Sequence, residues 1–61
     1  MKIQITHLHD HKNPETIDGE LDVVYDKLAE KFPLVKRYQK NELDLIIKRL
    51  NKSQTIHIEV L

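Results

Sequence analysis

The chain contains no cysteine and no tryptophan, a single glycine, two prolines and three aromatic residues. Without cysteine, disulfide staples and thiolate metal centres are excluded, and a 61-residue chain must find its stability elsewhere. Chains of this size bury only about 60% of their unfolded surface, and 39% hydrophobic residues with Tyr25, Phe32 and Tyr38 as the aromatics allow a modest aliphatic core. A deep pocket does not fit such a chain, and association with a second copy is the expected supplement. No apolar run approaches the ~20 residues that span a bilayer. Met1-Lys2-Ile3-Gln4-Ile5 alternates where a signal peptide would carry an apolar stretch, so a cytoplasmic protein with no membrane partner is expected. No repeat, low-complexity tract or internal linker divides the chain, and residues 1–61 read as one domain.

An excess of charge of either sign is also missing, because ten bases offset ten acids. The balance conceals a split. Residues 14–32 carry six acids against two lysines, a net of −4, and residues 33–53 carry six bases against two acids, a net of +4. Such asymmetry points to a charged partner or to two segments neutralising one another.

Four segments have a legible period. Lys2 to Leu8 alternates, with Ile3 and Ile5 on one side and Lys2, Gln4 and Thr6 on the other, which predicts a half-buried strand. His9 to Pro14 is a polar run containing Asn-Pro, a turn signal, and Pro14 suits the first position of a helix capped by Asn13 or, further on, by Thr16. From Pro14 to Phe32, the residues Ile17, Leu21, Val24, Tyr25, Leu28 and Phe32 fall on one helical face, with Gly19 costing about 1 kcal/mol inside it or marking a close backbone approach. Pro33 ends that helix near Lys31 or Phe32. Residues 34–40 fit either a further helical turn or an ordered connection. Asn41 with Asp44 approximates a capping pattern before a second helix on Leu43, Ile46, Ile47 and Leu50, ending at Asn51. Thr55 to Leu61 alternates again and predicts a second strand, with Ile56, Ile58 and Val60 on the buried side.

The expected fold is therefore α+β: a small β-α-α-β domain whose two antiparallel terminal strands pack on a helical hairpin. Two strands alone are marginal and leave open edges. Pairing of those edges in a four-stranded sheet across a homodimer is expected.

Three clusters are candidates for function. On the first helix Asp18, Asp22, Asp26 and Glu30 follow at intervals of four, stacking like charges at a cost of roughly 0.2–0.5 kcal/mol per step. A row of carboxylates suits docking to a basic patch on another protein. It also resembles phosphate spacing at about 6 Å per step, although overall neutrality argues against nucleic-acid mimicry. The basic residues Lys36, Arg37, Lys40, Lys48, Arg49 and Lys52, with Tyr38 among them, offer the alternative of nucleic-acid binding through phosphate contacts and base stacking. A strand followed by two helices is similar in element order to the ribbon-helix-helix repressors, but the helices here are too far apart for that family's tight turn and the last strand has no place in it. Finally His7, His9 and His11 would point one way along an extended strand and offer a weak divalent-metal site. That run superficially resembles the His-x-His-x-Asp-His motif of metallo-β-lactamase-fold hydrolases, with one residue too few between His9 and Asp10.

Thr16, Ser53 and Thr55 are the plausible nucleophilic hydroxyls, but Thr16 reads as helix-start chemistry, Ser53 as a loop residue and Thr55 as strand filler, so no enzyme and no cofactor are expected. The composition fits a bacterial or phage accessory protein. The function expected is that of a non-enzymatic binding or regulatory module, working through protein contacts made by the acidic residues and the sheet edges.

Overall fold

The structure, a computed structural model, describes residues 1–10 and 13–61. Its described elements are strands β1 (Lys2–His7), β2 (Glu15–Asp18) and β3 (Ile56–Val60), and helices α1 (Leu21–Lys31) and α2 (Leu43–Asn51), with 3₁₀ turns at Pro33–Arg37 and Lys40–Glu42. The class is α+β as expected, and the two terminal strands pair antiparallel. A third strand joins them, giving the order β2-β1-β3.

β1 lies in the middle and pairs antiparallel on both sides. Ile3 stands opposite Ile17 of β2 and opposite Val60 of β3, and Ile5 stands opposite Glu15 and Ile58. Alternation then puts Ile3, Ile5, Ile17, Ile56 and Ile58 on one face, where all five are buried. β2 and β3 run parallel to each other, so the chain between them crosses over β1 and covers that face. α1 lies against β2, α2 lies against β3, and the 3₁₀ turns sit between the helices. Val24, Leu28 and Ala29 of α1, Val35 of the first 3₁₀ turn, and Leu43, Ile46 and Leu50 of α2 complete a core that is aliphatic throughout among the described residues. Tyr25, Phe32, Leu34, Tyr38 and Ile47 rim it. The Tyr25 hydroxyl donates to the Tyr38 carbonyl at 2.6 Å, tying the connecting segment to α1.

The helix expected from Pro14 begins instead at Leu21. Glu15–Asp18, assigned to its first turn by pattern, is the strand β2. β1 is a central strand whose second side needs backbone partners, and Ile17 is as well buried against Ile3 in a sheet as it would be on a helix. Gly19 makes the transition. Its N–H donates to the Met1 carbonyl at 2.9 Å, closing the β1–β2 ladder, and a side chain there would come within 3.0 Å of the Val23 side chain. Glu20 then caps α1 through its carbonyl, which accepts from Val24 N–H, while Glu20 and Asp22 place carboxylates at the positive end of the helix. At the other end, Phe32 is extended and Pro33 follows, as the sequence indicates.

The capping pattern at Asn41 and Asp44 is not used. The reciprocal cap forms two residues earlier, with Glu42 Oε1 accepting from Gln39 N–H at 2.9 Å and the Gln39 side chain returning a bond to the backbone of Glu42. A 3₁₀ turn precedes α2, so the orphan donors lie ahead of the helix proper.

Gly19→Ala separates the two local structures by sign. In a helix interior it would stabilise by about 1 kcal/mol. Here the new methyl group presses on Val23, and the expected result is a loss of roughly 1–3 kcal/mol, read by urea denaturation followed by circular dichroism.

Candidate interaction surfaces

The acidic residues do not form one stripe. Asp22, Asp26 and Glu30 are exposed along α1, but Asp18 is on β2, next to the buried Ile17 and therefore on the opposite face of the sheet, where it stands across from Lys2. The correction follows from the later start of α1, since alternation in a strand replaces the four-residue spacing of a helix. Of the three that remain in line, Asp22 is met by Lys40, whose Nζ lies 3.5 Å from Asp22 Oδ1 and 6.0 Å from the centre of the Tyr25 ring. Asp26 and Glu30 make no ion pair among the described residues. Among the described residues, the basic segment thus makes one ion pair with the acidic helix.

The basic residues are dispersed over three elements. Lys36 and Arg37 are exposed on the first 3₁₀ turn, Lys40 is drawn to Asp22, and Lys48, Arg49 and Lys52 are exposed on and just after α2. Tyr38 is partly buried against the core, with its carbonyl engaged by Tyr25. Lys48 and Arg49 also sit in the last turn of α2, where positive charge complements the helix dipole.

The histidines have separate partners. His9 Nε2–H donates to the Gln54 carbonyl at 3.1 Å, whereas His7 Nε2 lies 3.6 Å from Glu15 Oε1 and makes no hydrogen bond. His11 lies outside the described residues, among which no three metal-ligating side chains come together. Among the described residues no pocket opens in the surface and no helix is long and apolar enough to cross a membrane.

His7 belongs to a cluster that the sequence does not reveal. It shares Glu15 with Lys31, the last residue of α1, so that one carboxylate at the start of β2 joins the helix end to β1. The Lys31 hydrogen bond is the main cause that holds the Glu15 carboxyl below its usual value, with partial burial opposing it. Both side chains are about 40% exposed, so water screens the pair and its contribution is small.

The sheet edges are also managed by side chains. Asn51, the last residue of α2, reaches the outer edge of β3: its Oδ1 accepts from Ile58 N–H at 2.7 Å and its Nδ2 donates to the Ile58 carbonyl at 3.3 Å. In sequence Asn51 reads only as a helix end. Its distance of seven residues from Ile58 is the sole signal of the contact, and it needs the turn between them to be interpreted. That turn is tight: Ser53 Oγ donates to the Leu50 carbonyl and Gln54 adopts a positive φ of 60°. β2, the other edge, is four residues long, with Pro14 just before it and Asp18 at its end, features that blunt an edge.

No family model, characterised protein or solved structure matches this chain.

Glu15→Gln tests the cluster through pH. A carboxyl held low in the folded state stabilises fully above its unfolded value, near 4.5, and that stability is lost as pH falls through the folded value. The stability difference between wild type and Glu15→Gln is therefore expected to be constant near neutrality and to shrink below about pH 4.5. Denaturant titrations at several pH values measure it; a gap that widens in acid would contradict the assignment.

Proposed function

We propose that this chain is a non-enzymatic binding module that captures a basic surface of another protein through α1, and that its second contact surface is the edge of β3, through which two copies pair. The observation that carries the first part is the incomplete internal compensation of the acidic helix. Lys40 answers Asp22, while Asp26 and Glu30 stay exposed without an ion pair among the described residues. Like charges at intervals of four cost roughly 0.2–0.5 kcal/mol per step, and a basic partner offsets that cost on docking while speeding encounter. Asp22, Asp26 and Glu30 form the contact, with Asp18 outside it on the other face of the sheet. The small size of the chain and the lack of a pocket among its described residues favour binding over catalysis. Nucleic-acid binding through Lys48, Arg49 and Lys52 is the second reading, favoured by the exposure of all three on one end of α2.

Asp26→Lys distinguishes these functions from simple folding effects. It replaces two repulsive steps by attractive ones, so the variant is expected to gain about 1–2 kcal/mol and several degrees in Tm. The double variant Asp26→Lys/Glu30→Lys is expected to lose the proteins that cross-linked wild type retains. Retention of the same set would overturn the docking surface, and a low-salt gel shift abolished by neutralising Lys48, Arg49 and Lys52 would move the function to nucleic acid.

A further inference from the structure

We propose that Asn51 is a latch on the β3 edge, and that the strand docking on that edge when the latch opens is β3 of a second copy, antiparallel and centred on Ile58. The inference rests on the reading of the β3 edge as the contact between two copies, and adds to it the register and the control.

The ladder between β1 and β3 decides which backbone groups are free. Leu8 N–H donates to the Thr55 carbonyl at 3.0 Å and Leu61 N–H to the Lys2 carbonyl at 2.8 Å. Thr55, His57, Glu59 and Leu61 therefore turn their backbone groups toward β1, and Ile56, Ile58 and Val60 turn theirs to the open edge. Asn51 answers Ile58 with one acceptor and one donor, at 2.7 and 3.3 Å. This reciprocal pair has the pattern that a directly opposed residue of an antiparallel strand makes. No side chain among the described residues bonds the backbone of Ile56 or Val60 on that side. The edge is thus sealed at its midpoint by a group that one side-chain rotation can remove.

The sequence of β3 suits its own copy in one register. With Ile58 opposite Ile58, His57 meets Glu59 twice on the outer face and Ile56 meets Val60 twice on the inner face. Sliding one strand by two residues in one direction puts Glu59 against Glu59, an unfavourable cross-strand like-charge pair, and in the other sets His57 against His57 and leaves Glu59 without a histidine opposite it. On the β1 side His57 and Glu59 face only Thr6 and Gln4, so no charged cross-strand neighbour competes for them. Val60 supplies the apolar part. It lies on the inner face opposite Ile3, yet it is 53% exposed, and Ile56 of a second copy would cover it. The joined sheet has six strands, where the sequence alone suggests four.

The test compares solution mass by analytical ultracentrifugation at equal concentrations. Wild type is expected to pair weakly through this edge, and Asn51→Ala to dimerise with a Kd lower by roughly tenfold or more, from freeing one hydrogen-bonded pair per copy. Adding His57→Glu to Asn51→Ala is expected to abolish the dimer, and adding Glu59→Lys as well to restore it. If Asn51→Ala loses its circular dichroism spectrum, Asn51→Asp serves, because it keeps the acceptor for Ile58 N–H and sets a carboxylate against the Ile58 carbonyl. A folded Asn51 variant that stays monomeric overturns both the latch and the edge. Wild type and Asn51→Ala dimers of equal Kd, both lost on adding His57→Glu, overturn the latch alone and leave the edge as the contact.

Discussion

The antiparallel register of β1 against β3 decides which side of this molecule is dry. Because side chains alternate with a period of two, matching Ile5 with Ile58 and His7 with Ile56 turns every isoleucine of both strands to one face. A slip of β1 by one residue would present Gln4 and Thr6 to the helices instead, and a slip of β3 would present His57 and Glu59. The rest follows from that pairing. β1 has a second side whose backbone groups need partners, which draws Glu15–Asp18 into the sheet as β2. The chain must then cross from β2 to β3 over β1, and the crossover puts both helices on the isoleucine face.

The parts of the sequence with one dominant period read correctly. β1 and β3 lie within the alternating segments Lys2–Leu8 and Thr55–Leu61, and the second helix ends at Asn51 as its stripe indicates. β2 failed for a reason visible in its residues. Ile17 is four positions before Leu21, so it continues a helical stripe as well as it alternates between Thr16 and Asp18, and four residues are too few for either period to win. Gly19 was the usable signal. A lone glycine near the start of a strong helical pattern, costing about 1 kcal/mol there, fits better as the bend before that helix than as part of it. The connection of residues 33–40 was ambiguous because its order comes from contacts, above all the Tyr25 hydroxyl on the Tyr38 carbonyl, which have no local signature.

The same misplaced helix start governed how the charges looked. Four acids at intervals of four become three once Asp18 moves to the sheet, and Glu20 and Asp22 acquire an ordinary role at the helix N-terminus. The basic segment looked like a counterweight in sequence. Yet its charges are spread over a 3₁₀ turn and the far helix, and α2 lies over β3 while α1 lies over β2. Among the described residues, Lys40–Asp22 is the one ion pair between the two segments. Charge sums along a chain say nothing of which faces meet; that depends on topology, and here the crossover holds the two helices over different strands.

Edges are the remaining constraint on a domain this small. A sheet of three strands has one interior strand, so two of the three expose a row of hydrogen-bonding groups. A larger protein covers such rows with further strands or helices. Here the edges are met with shortness and a proline on β2 and with one amide on β3. The two answers differ physically. Proline and chain length are fixed in the covalent structure, whereas the Asn51 amide holds Ile58 by two hydrogen bonds, each worth about 1 kcal/mol net. A seal of that strength lies within the range that a second strand, which offers several such bonds at once, can displace. The β3 edge is therefore the more exchangeable of the two, and it is the edge whose inward-facing Val60 is left uncovered.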